Sequence, residues 1–179
     1  MSNEPLSKVG SVAAADVCWR YAPPMATLRL LRRGMSVREM LEALAAKQEY
    51  TDAIDFLARA LPAREGVWWG ALCLQHACGD ALTPHERAAG IAAIRWVIQP
   101  TPENSAAARG PGEAIGLTSP AGPLALAAAG GLDATPHAPA ETVAMAVKLA
   151  SLKAPGEKMT LTLRRYLELG IGVAEGRFA

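Results

Sequence analysis

The sequence predicts an all-α fold: a single compact domain of about seven or eight short to medium helices packed as antiparallel hairpins. Three observations carry that prediction. Alanine supplies 37 of the 179 residues, and alanine is the best helix former because it loses no side-chain entropy on ordering and buries no polar group. Aromatic residues are 5% of the chain, and the β-branched and aromatic types that suit strands are sparse throughout. Apolar residues recur at helical spacing between proline, glycine and hydroxyl punctuation.

Residues 1–35 read as an irregular N-terminal segment, with a short helical turn near Ala13 to Arg20 that Pro23-Pro24 stops. The helical domain spans 36–179. Its first helix starts at Ser36, where Ser36-Val37-Arg38-Glu39 forms a capping box: the serine oxygen and the glutamate carboxylate satisfy each other's orphan amides. Val37, Met40, Leu41 and Leu44 then mark the inner stripe. A second helix covers about Thr51 to Ala60 and ends at Pro62. The next holds Val67-Trp68-Trp69-Gly70-Ala71-Leu72-Cys73-Leu74, apolar all round, which predicts a central buried helix.

Thr83-Pro84, Thr101-Pro102 and Ser119-Pro120 each put a hydroxyl before a proline. That predicts three helix starts with proline at the first helical position, where its missing amide costs nothing. Gly110-Pro111-Gly112 reads as helix punctuation between the second and third of them. Gly130 to Pro139 reads as a loop, Pro139 opens a helix through Val147 and Leu149, and Pro155-Gly156 breaks it. A last helix runs from about Glu157 to Glu175, with Met159, Leu163, Tyr166 and Leu167 inside.

Charge and cysteine content limit the function classes. With 18 Lys+Arg against 17 Asp+Glu, the chain lacks the basic excess by which nucleic-acid binders release counterions, so no nucleic-acid partner is expected. Three cysteines are an odd number in a chain long enough to fold without staples, which favours a reducing compartment. No signal peptide is read at the start. The charge-free run Ala114 to Leu132 is broken by Pro120, Pro123 and four glycines, so no membrane span is expected. The expected location is cytoplasmic.

Few constellations could carry chemistry. Cys73, His76, Cys78 and His85 hold the inventory of a zinc site, but on one helix Cys78 sits about 140° from Cys73, so core cysteines and a surface histidine are expected, and no metal. Gly110 to Gly116 lacks both the preceding strand of a dinucleotide site and the Lys-Ser/Thr pair of a phosphate loop. Asp52/Asp55 and Glu39/Glu42 have no histidine partner and read as solvated helix faces. Trp68 and Trp69 point about 100° apart and face different neighbours; core anchoring is the expectation, with one tryptophan lining a partner groove as the alternative. No cofactor is expected, and no acid, base and nucleophile trio that would make an enzyme.

Pro62-Ala63-Arg64-Glu65-Gly66-Val67-Trp68-Trp69-Gly70-Ala71-Leu72-Cys73 resembles the central P-x-R-E-A-V-W-W-x-C-L-C segment of an uncharacterised family of small, all-helical bacterial proteins. Arg95-Trp96-Val97 with Pro102-Glu103-Asn104, Ser119-Pro120-Ala121-Gly122, and Tyr166-Leu167-Glu168-Leu169-Gly170-Ile171 extend the similarity. The chain departs from the pattern at Gly66, where the family has alanine, and at Leu124-Ala125, where it tends to tryptophan. The resemblance implies no enzymatic activity. It implies an accessory role in type VI secretion, as an adaptor or chaperone whose partner is an apparatus component or an effector.

The resulting expectation is a non-enzymatic protein-interaction module, free to form a homo-oligomer. Its expected partner-binding residues are Arg29, Arg32, Arg33 and Arg38, because arginine pairs bidentately with carboxylates and is enriched at interfaces. The rival expectation is a small-ligand or sensory domain with a pocket near Trp69 and Cys73.

Overall fold

The computed structural model describes residues 6–132, 138–154 and 158–178. Among them the fold is all-α, with no strand and one isolated bridge between Ala13 and Ser36. The helices in order are α1 (Ala14–Cys18), α2 (Met25–Leu28), α3 (Val37–Ala46), α4 (Tyr50–Ala60), α5 (Ala63–Cys78), α6 (Pro84–Ile98), α7 (Pro102–Ile115), α8 (Ala121–Ala129), α9 (Ala138–Lys153) and α10 (Met159–Glu175). A single 3₁₀ turn, Gly79–Ala81, joins α5 to α6.

The predicted starts at Ser36, Thr83 and Thr101 are all present. The Ser36 hydroxyl accepts from the Glu39 amide at 3.2 Å while the Glu39 carboxylate takes the Ser36 amide at 2.8 Å. Thr83 and Glu86 repeat the box, and Thr101 accepts from the Asn104 amide. The third proline start differs. Pro120 stands one residue outside α8 as its cap, and the Ser119 hydroxyl makes no capping bond.

Gly110-Pro111-Gly112 does not punctuate either, because α7 runs through it to Ile115. Gly110 lacks the Cβ that would strike the Pro111 ring in helical conformation. Gly112 lets α8 approach so closely that an added Cβ would lie 3.0 Å from the Leu126 amide nitrogen. Packing of α7 on α8 therefore holds the helix across its proline. Residues 133–137 of the predicted Gly130 to Pro139 loop, and the predicted break at Pro155-Gly156, lie outside the described residues.

The centre is α8, with eight of its nine residues buried. It packs against α5, α6, α7 and α9, and α5 in turn touches α6, α9 and α10. Trp69 is fully buried on α5, and its Nε1 donates to the Tyr166 carbonyl of α10 at 2.8 Å. The N-terminal segment belongs to this body rather than preceding it. Val9, Ala14, Val17, Cys18 and Met35 enter the core, and the Lys8 amide donates to the Ala174 carbonyl. Helix α1 lies where the helical turn near Ala13 to Arg20 is read, whereas α2, four residues long, is too short to show a period and reads as irregular. Among the described residues no helix is long and apolar enough to cross a membrane.

Candidate functional site

Helix α6 packs one face inward and leaves its three isoleucines on the other. Ala89, Gly90 and Ala93 are buried with Trp96 and Val97, and Gly90 lets Leu74 of α5 come close. Ile91, Ile94 and Ile98 lie on the opposite side at i, i+3 and i+7, and they are 45%, 36% and 67% exposed. Three isoleucines in water along two helical turns form an unpartnered apolar ridge.

Beside that ridge runs a groove between α5 and α6, built of two open hollows that share Trp68. One hollow, about 290 Å³, takes Leu72 and Gln75 from α5 and Ile91 and Ile94 from α6. The other, about 280 Å³, takes Arg64 and Glu65 from α5, Val97 and Ile98 at the end of α6, and Phe178. The second hollow is pinned across its walls. Arg64 Nε donates to the Val97 carbonyl at 2.7 Å, and Trp68 Nε1 donates to the Phe178 carbonyl at 2.8 Å. Across the ridge, a third hollow of about 350 Å³ separates α6 from α7 and is lined by Arg95, Ala107 and Pro111.

The charge around this face is mostly positive. Lys8, Arg64, Arg87 and Arg95 border the hollows against the single carboxylate Glu65. Glu86 is engaged elsewhere, with the Thr83 cap and with Lys153 Nζ at 3.6 Å. The nearby Ser119 hydroxyl, then the Thr83 hydroxyl and amide, hold its carboxyl down to about 2.

The residues expected to bind a partner do not form one patch. Arg29, Arg32 and Arg33 are exposed, but Arg38 turns inward to a 2.6 Å ion pair with Glu175, whose side chain is fully buried. Arg177 holds the other oxygen of that carboxylate. Trp69 and Cys73, around which a ligand pocket was the rival expectation, are both 0% exposed. Their neighbours Trp68 and Leu72 line the open groove instead.

Asp52 and Asp55 are not a solvated face. Asp52 accepts from the buried Thr27 hydroxyl, and Asp55 accepts from Lys148 Nζ at 2.9 and 3.0 Å. These partners lie far off in sequence, so spacing along α4 alone conceals them. A polar hollow of about 330 Å³ surrounds these groups, and its ion pairs are made within the chain.

Nucleophile chemistry finds little support. Burial pushes the Cys73 thiol well up and raises Cys18 and Cys78 as well, which disfavours the reactive thiolate. His76 is spread between the Tyr166 hydroxyl at 3.1 Å and Arg165 at 2.9 Å. Among the described residues no three His, Cys, Asp or Glu side chains converge as a metal site would need.

A family model described as a family of unknown function (DUF6931) matches residues 40–174. No curated protein and no solved structure matches the chain.

Proposed function

The chain belongs to this family of unknown function, DUF6931, and from that premise we propose that it is a non-enzymatic protein-binding module whose α5–α6 groove receives an amphipathic helix with acidic flanks. The observation that carries the reading is the exposed Ile91, Ile94 and Ile98 ridge running alongside the Trp68 groove. A stripe at i, i+3 and i+7 spans about 10 Å, so it matches a partner helix of two to three turns packing ridge into groove. Trp68 supplies the aromatic anchor, and Arg87 and Arg95 select acidic flanks. A second copy of the same face is disfavoured, because an isologous contact sets a surface against itself and would bring these arginines together.

The groove takes the partner role expected of the Arg29 to Arg38 segment. The class of partner that the family resemblance implies is a type VI secretion component or effector, which the module serves as adaptor or chaperone. The test is affinity capture from the producing organism with parent, Trp68→Ala and Ile94→Asp chains. A protein held by the parent, lost from both variants and mapped by peptide scanning to an acidic amphipathic helix is the expected result. A partner retained by both folded variants refutes the groove.

A further inference from the structure

The N-terminal loop outside the groove carries a second surface of different character. Val17 to Arg38 contains five arginines and no acidic residue; since the whole chain carries +1, the remaining residues carry −4. The loop is closed at its base by the Ala13–Ser36 bridge and by the Ala14 amide donating to the Met35 carbonyl at 2.9 Å. Its inner side is bolted to α4. Arg20 donates to the Arg59 carbonyl at 2.9 Å, the Arg59 guanidinium lies 4.2 Å over the Tyr21 ring, and Thr27 bonds Asp52. With Arg20 and Arg38 engaged inward, Arg29, Arg32 and Arg33 remain outside, and Glu39, on which the Arg32 charge acts, already serves the Ser36 cap.

The large apolar residues of the same loop also face water. Trp19 is 87% exposed, Met25 65% and Leu28 37%. The two hollows at the foot of the loop are lined by other residues, and these six side chains are exposed outside them. A protein partner would need concavities to match them. A bilayer has no fixed shape and asks only for apolar groups at headgroup depth and cations against its phosphates.

We infer that the outer face of the Ala13–Ser36 loop docks on an anionic bilayer surface, Trp19, Met25 and Leu28 entering the headgroup region and Arg29, Arg32 and Arg33 meeting lipid phosphates. Binding is peripheral and salt-sensitive, and the rigid attachment of the loop to α4 fixes how the body stands over the membrane.

The experiment is co-sedimentation of the full chain with phosphatidylcholine vesicles, with and without one part in three of phosphatidylglycerol, at low and moderate salt. The parent should sediment with the anionic vesicles alone and be released by salt. Each arginine near an anionic surface contributes about fivefold in affinity, so Arg29→Gln, Arg32→Gln, Arg33→Gln together should weaken binding about a hundredfold. Trp19→Ala should weaken it at every salt concentration, because its share is apolar. All four changes fall on exposed side chains, and Arg32→Gln alone, about fivefold weaker, tests the same point with a smaller perturbation. A control triple of exposed cations elsewhere, Lys47→Gln, Arg109→Gln, Lys158→Gln, should bind as the parent does. Equal binding to neutral vesicles, no binding to either kind, undiminished binding by the loop triple or equal loss in the control triple would each overturn the proposal. Salt-sensitive binding to poly-glutamate without binding to vesicles would overturn it in favour of an acidic protein.

Discussion

Gly66 and Gly170 are both buried helical glycines, and replacing each by alanine should move stability in opposite directions. Helix propensity alone favours alanine by about 1 kcal/mol at either site. At Gly66 the added methyl would meet Val143 at 3.5 and 3.7 Å, which is ordinary contact, so the propensity gain survives. At Gly170 the methyl would stand 2.6 Å from Trp69 Cε2 and 2.7 Å from Leu57 Cδ2, about 1 Å inside the optimum for carbon pairs. Neither neighbour can withdraw easily. Both are 0% exposed, and the indole is held to the Tyr166 carbonyl of the helix that carries Gly170. Overpacking of this kind costs about 1–3 kcal/mol and outweighs the propensity gain. Urea unfolding at constant m should therefore show Gly66→Ala about 1 kcal/mol more stable than the parent and Gly170→Ala less stable by up to about 2 kcal/mol. Thermal midpoints should shift by about 2–4 °C per kcal/mol. Two variants that both gain stability by similar amounts would refute the packing argument and leave propensity in command.

Trp69→Ala should cost about 3–5 kcal/mol by denaturant titration, as for other buried aromatic truncations, while His85→Ala, on the surface, should stay within about 0.5 kcal/mol. Arg38→Ala should cost about 1–3 kcal/mol because the buried Glu175 loses a partner, and Glu175→Gln in the same chain should recover part of that loss in a double-mutant cycle. Glu86 has a depressed folded-state pKa of about 2, so its stabilisation is present above the unfolded-state value of about 4.3 and is lost as pH falls through its folded one. Glu86→Gln should flatten the acid limb of a stability–pH curve between about pH 4.3 and 2 and leave the curve above that window parallel to the parent's.

What could be read from the chain follows from the range of each interaction. The capping boxes at Ser36 and Thr83 are complete within four residues, so the sequence displays both partners at once. Pro111 misleads because the close packing that goes with an unbroken α7, Leu126 against Gly112, comes from another helix. The ion pair that withdraws Arg38 from the surface has its partner 137 residues away. The isoleucine ridge is only half legible: the spacing of Ile91, Ile94 and Ile98 puts them on one side of α6, but with Trp96 and Val97 on the same helix nothing local says which side faces the core. The exposed Trp19 left no signal, since nothing in Cys18-Trp19-Arg20 says which way the ring turns.

A helix apolar on every side, as α8 is, has a consequence for how the chain reaches its native state. Ala121–Ala129 holds eight buried residues of nine, so it has no face of its own to offer water at any stage. The local part of its cover, α6 and α7, precedes it in the chain and can form a hairpin assembly early at low contact order. The rest of the cover comes from α5 and from α9, the latter following it. A chain in which α6 to α8 had assembled before α9 docked would leave the alanine and leucine surface of α8 open to other chains. In the finished protein the same dependence means that α8 cannot loosen alone. Its amides should exchange with solvent only through the global opening reaction, with the same free energy as complete unfolding.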